Sequence, residues 1–81
     1  MRHDYLDVSE AVTKFPSLKR TVDLARKLNY PLLKHRVDFN KRGTVNCHWF
    51  RTKDGFERNQ TIFNMLRHIQ HQNPEYKFTN Q

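Results

Sequence analysis

The sequence predicts an α+β domain: two N-terminal helices, an antiparallel β-hairpin that a third short strand can extend, and a C-terminal helix. Three observations carry this. Apolar residues recur at helical spacing within residues 8–15, 18–28 and 62–69. Between residues 33 and 49 apolar and polar residues alternate instead, which is the period of a half-buried strand. Two turn signals, Asn40-Lys41-Arg42-Gly43 and Lys53-Asp54-Gly55, punctuate that region.

The first helix places Val8, Ala11, Val12 and Phe15 on one face, and Pro16 ends it. Asp7 is the expected N-cap, with Glu10 three residues on as in a capping box and Leu6 and Ala11 at the staple positions. The second helix spans SLKRTVDLARKLN, residues 17–29, with Ser17 as its cap. Leu18, Val22, Leu24, Ala25 and Leu28 fall on one side of it, and Lys19, Arg20, Arg26 and Lys27 on the other, with Asp23 among them. Asn29 suits the helix end, and Pro31 prevents continuation.

In LLKHRVDF, residues 32–39, the inward set is Leu33, His35, Val37 and Phe39, alternating with Lys34, Arg36 and Asp38. In the return strand TVNCHWF, Val45, Cys47 and Trp49 are expected to face the core, with Asn46, His48 and Phe50 on the other side. Phe56 to Arg58 forms the third short strand. The last helix carries Ile62, Met65, Leu66 and Ile69, capped by Asn59 or Thr61 and ended by Pro74. Residues 1–81 make one domain, with 75–81 as a tail that is either flexible or a short strand through Tyr76 and Phe78.

A second reading of the middle exists. TVDLARKLNYPLLKHRVDF, residues 21–39, is similar to the helix-turn-helix of winged-helix proteins, with Ala25 at the helix contact and Asn29-Tyr30 as the turn. That resemblance implies a recognition helix from Pro31 that presents Lys34, His35 and Arg36 to a major groove, with the hairpin as the wing. The alternation through Phe39 and the β-leaning Val37 and Phe39 favour the strand.

Charge points to a polyanionic partner. The net charge is +7, from 15 Lys and Arg against 8 Asp and Glu, with a pI of about 10.0. Charge of this size also serves solubility alone, so its distribution matters more than its sum. From residue 14 to residue 53 the acids are Asp23 and Asp38 alone. The expected nucleic-acid surface therefore joins Lys19, Arg20, Arg26 and Lys27 of the second helix to Lys34, Arg36, Lys41, Arg42, Arg51 and Lys53 of the hairpin. Duplex DNA is the expected partner, and a regulatory or accessory role fits the size. Small DNA binders are often symmetric dimers, but no residue requires one here. The rival partner is an acidic protein. Trp49 and Phe50 fall on opposite faces of one strand, so one of them is free to stack on a base beside Arg51.

Other chemistries find no support. The single Cys47 excludes an internal disulfide and suits a reducing compartment, cytoplasmic or, in a eukaryote, nuclear. The first residues, MRHDYLDVSE, have no apolar signal region, and no run has the length of a membrane span. His68 and His71 neighbour each other on a helix but lack the paired ligands of a zinc site, so neither metal nor cofactor is expected. Cys47 and His48 point apart on a strand and cannot act as a nucleophile pair. With no paired carboxylates and no glycine-rich phosphate loop, the chain is expected not to be an enzyme.

Overall fold

The computed structural model describes residues 2–72 and residue 75. Its class is the expected α+β, with three helices and a four-stranded antiparallel sheet. The strands are β1 (Arg2–Leu6), β2 (Lys34–Phe39), β3 (Val45–Thr52) and β4 (Gly55–Arg58), and they lie in the sheet in chain order. The helices are α1 (Val8–Lys14), α2 (Lys19–Lys27) and α3 (Asn59–Gln72).

Sequence periodicity did not predict β1. It pairs with β2 from Arg2 opposite Phe39 to Leu6 opposite His35. Arg2 to Tyr5 are all exposed, so the strand shows no apolar alternation. A short polar edge strand of this kind also resists unwanted pairing with other chains.

Asp7 stands at the N-cap of α1 with extended backbone (φ −66°, ψ 149°), but its side chain caps nothing. Its carboxylate instead takes Lys34 Nζ at 3.0 Å, tying the start of α1 to β2. The capping box is therefore not formed. Pro16 ends α1 as expected and opens a single 3-10 turn, Pro16–Leu18, so α2 begins at Lys19 and Ser17 is not its cap. At the other end of α2, Asn29 is left-handed (φ 58°). Tyr30 N–H donates to the Ala25 carbonyl at 2.7 Å, and Asn29 N–H to that of Arg26 at 3.1 Å. This is a Schellman termination, with asparagine in the place glycine usually holds.

No second helix follows Pro31. Lys34–Phe39 is a strand paired with β1 on one side and β3 on the other, which removes the winged helix-turn-helix alternative. Leu33, expected inside, precedes the strand and is 56% exposed.

The face assignment of β3 is the reverse of the expected one. His35 lies opposite Phe50, Val37 opposite His48, Arg36 opposite Trp49 and Asp38 opposite Cys47. Paired residues share a face, so His48, Phe50 and Thr52 point inward and Cys47, Trp49 and Arg51 outward. Phe50 and Thr52 are buried, while Val45, expected in the core, is exposed. A bulge lies next to Phe39, whose partner is Val45, so Asn46 is the extra residue. Asn40 organises the turn before it: its Oδ1 accepts from the N–H groups of Arg42 (2.9 Å) and Thr44 (3.2 Å). Gly43 there has φ +83°, which favours glycine.

All three helices pack on the inward face. The core joins Ala11 of α1, Leu18 before α2, Val22, Ala25 and Leu28 along and after it, Ile62 and Leu66 of α3, and Phe50 of β3. Met65, expected inside, is exposed, and Leu24 is partly covered. Pro74, Tyr76 and Phe78, named as helix stop and tail, lie outside the described residues.

Candidate nucleic-acid interface

With the helices on one face, the other face of the sheet is uncovered among the described residues. The register decides which side chains stand there. They are His3 and Tyr5 from β1, Lys34, Arg36 and Asp38 from β2, Cys47, Trp49 and Arg51 from β3, and Phe56 and Arg58 from β4. Cations and rings are interleaved, and Asp38 is the one acid among these positions.

Asp38 is already engaged. Arg36 Nε donates to its Oδ1 at 2.8 Å, and Trp49 Nε1 donates to its Oδ2 at 2.9 Å. A further Arg36 nitrogen reaches Oδ2 at 3.3 Å, so the guanidinium grips the carboxylate with both arms. The Arg36 hydrogen bond, assisted by that of Trp49, holds the Asp38 carboxyl below its ordinary range, and the same contact raises Arg36 further above its own. Asp38 is only 6% exposed, which leaves little of its charge to repel an anion. The ring of Trp49 in turn lies near two cations, with the guanidinium carbons of Arg36 and Arg58 at 5.6 and 6.0 Å from its centroid.

This triad predicts a stability effect on the exposed side of the sheet. Asp38→Ala leaves the Arg36 guanidinium and the Trp49 N–H without their acceptor, and is expected to cost about 1–3 kcal/mol. Urea unfolding followed by Trp49 emission measures it, and a native emission spectrum unchanged by the substitution would contradict the Trp49–Asp38 bond.

The remaining rings come from opposite edges. Tyr5 of β1 and Phe56 of β4 approach to 5.8 Å between centroids at 50°, so both lean over the two middle strands. His3 stands edge-on to Tyr5 at 5.3 Å, and the Arg51 guanidinium is 6.0 Å from the Phe56 ring. Tyr5 remains 49% exposed.

The residues expected to bind nucleic acid are not gathered on one surface. Lys34, Arg36 and Arg51 share the outer sheet face. Lys19, Arg20, Arg26 and Lys27 are exposed on α2, beyond the core and thus on the opposite side of the molecule. Of these, Lys19 is paired with Asp23 and Arg20 lies over the Phe63 ring at 4.3 Å. Lys41 and Arg42 stand at the β2–β3 turn, and Lys53 at the β3–β4 turn at the other end of β3. Sequence reasoning missed Tyr5, because it missed β1, and assigned Trp49 to the core. Arg58 was placed only at the end of the third short strand, yet it lies directly opposite Trp49.

The inner face also holds a histidine pair, of which His35 was expected inside and His48 was not. His35 Nε2 and His48 Nδ1 are 2.9 Å apart, and Phe15 packs on both rings. His35 is fully buried, and its Nδ1 has no hydrogen-bond partner among the described residues. Burial, with His48 beside it, lowers its pKa to about 4, and burial lowers that of His48 as well. Two imidazoles do not make a metal centre, and no group of three or more metal-ligating side chains occurs among the described residues. Cys47 and His48 point to opposite faces, as expected. Among the described residues no helix is long and apolar enough to cross a membrane. No family model, curated protein or solved structure matches this chain.

Proposed function

We propose that this chain binds nucleic acid through the outer face of its sheet, as a small regulatory or accessory factor and not as an enzyme. The observation that carries the reading is the uncovered face itself. Lys34, Arg51 and Arg58 stand among Tyr5, Trp49 and Phe56, and Asp38, the acid at these strand positions, is held by Arg36 and Trp49. Cations that converge on one surface neutralise phosphates, and rings open to solvent, Tyr5 exposed and Trp49 and Phe56 in part, can add stacking contacts. Among the described residues Lys34 is held by an exposed pair with Asp7, which is worth little and is readily exchanged for a phosphate. Such a role fits the cytoplasm, or the nucleus of a eukaryotic cell.

A second reading has one observation in its favour. The cations Lys19, Arg20, Arg26 and Lys27 form a separate exposed surface on α2, which suits docking on an acidic protein. Charge reversal separates the two. Arg51→Glu with Arg58→Glu is expected to weaken binding to short oligonucleotides by at least about 10-fold and to flatten the salt dependence by roughly 0.7–0.9 per lost phosphate contact. Arg26→Glu with Lys27→Glu is expected to leave that affinity nearly unchanged. The titration is read by labelled-oligonucleotide anisotropy. The opposite ranking would move the interface to α2.

A further inference from the structure

We propose that the ligand of this face is an unpaired nucleic-acid strand whose bases stack on Tyr5 and Phe56; this rests on the nucleic-acid reading above and names its substrate class. The charge pattern of the sequence alone pointed to duplex DNA. The rings argue otherwise. A paired base hides both faces inside its own stack, so a duplex meets this surface through phosphates and groove edges and gains little from the exposed Tyr5 ring or the half-buried Phe56 ring. An unpaired base offers its π-face to any aromatic, whatever its identity.

Geometry separates the stacking rings from the supporting one. Trp49 is held by Asp38 and flanked by Arg36 and Arg58, so its place is inside the surface. Tyr5 is half exposed, and its ring leans with that of Phe56 over the middle of the sheet, 5.8 Å apart. Arg51 stands beside Phe56, close enough to meet the phosphate of a base stacked there. Alternating ring and cation match the alternation of base and phosphate along one strand. Binding of this kind is tolerant of sequence.

The test uses the whole protein and three probes of equal length: oligothymidylate, the same sugar–phosphate chain without bases, and oligothymidylate paired with oligoadenylate. Oligothymidylate is expected to bind at least ~10-fold more tightly than the abasic chain, which carries the same charge. Tyr5→Thr with Phe56→Thr is expected to bring oligothymidylate down to the abasic level while abasic binding stays. Tyr5→Phe, which keeps the ring, is expected to retain the difference. Equal affinity for the base-bearing and abasic chains, or tighter binding of the duplex, overturns the stacking proposal and leaves the nucleic-acid reading standing. No binding of any probe at low salt overturns both.

Discussion

Replacing Phe50 with alanine is expected to remove about 3–5 kcal/mol of stability. The ring is 0% exposed and is the residue through which β3 enters the core. Its neighbours in that core are helical residues that the sequence cannot move closer, so a cavity remains where the ring was. Small domains bury a modest share of their surface, and total stabilities run to only about 5–15 kcal/mol. The variant is therefore expected to lose most of its cooperative transition. Urea unfolding followed by Trp49 emission and circular dichroism measures the effect. Trp49→Ala, on the outer face, is expected to cost less. If the alanine at position 49 proved the more damaging of the two, the register of β3 described above would be wrong.

The second large effect is on acidification. His35 takes a proton near 6.5 when unfolded and near 4 when folded, because the folded site is dry and His48 lies beside it. The unfolded chain therefore binds more protons than the native one between those values. Stability is full above about pH 6.5 and falls as the pH drops toward 4. The shift corresponds to a loss on the order of 3 kcal/mol from His35, and His48 adds to it in the same direction. The pair can share one extra proton along its hydrogen bond, but a second leaves two donors facing each other. Asp38 acts in a different window: its carboxyl is lowered, so its contribution is lost only as the pH falls through that lowered value. Urea midpoints at pH 7 and pH 4.5 test the expectation, with His35→Leu as the control. A slope that persists undiminished in the control would assign the acid sensitivity to the overall positive charge instead of the buried pair.

α1 and α2 were legible because each has one apolar face and a physical stop. Val8, Ala11, Val12 and Phe15 precede Pro16, and Val22, Ala25 and Leu28 precede the left-handed Asn29. β2 was legible because only one of its faces is apolar. β3 was not, for a reason visible in its residues: Val45, Cys47 and Trp49 look more hydrophobic as a set than His48, Phe50 and Thr52. The decision was made by partners across the sheet, with His35 and Val37 selecting Phe50 and His48, and by the bulge at Asn46, which shifts the count before Cys47. A single-residue offset exchanges every side chain of a strand between faces. That offset also hid the interface. With Trp49 assigned inward, the outer face lost its central ring, and with β1 unseen it lost Tyr5. The cations Lys34 and Arg36 were placed on the outer face correctly, but Arg51 was known only as a cation of the hairpin, and α2 was joined to them only because helix and hairpin are both basic.

Tyr5 and Phe56 meet over the middle of the sheet although they come from its two outermost strands. β1 reaches its place only after the chain has wound through α1 and α2, while β2, β3 and β4 are joined by tight turns. The three-strand meander can therefore close early and locally, whereas β1 must bear the entropy of a long loop before it docks. The ring pair exists only after that last closure. Fraying of β1 alone would dismantle the platform with the helical core still packed, so ligand engagement and retention of the N-terminal strand are thermodynamically one event, each holding the other in place.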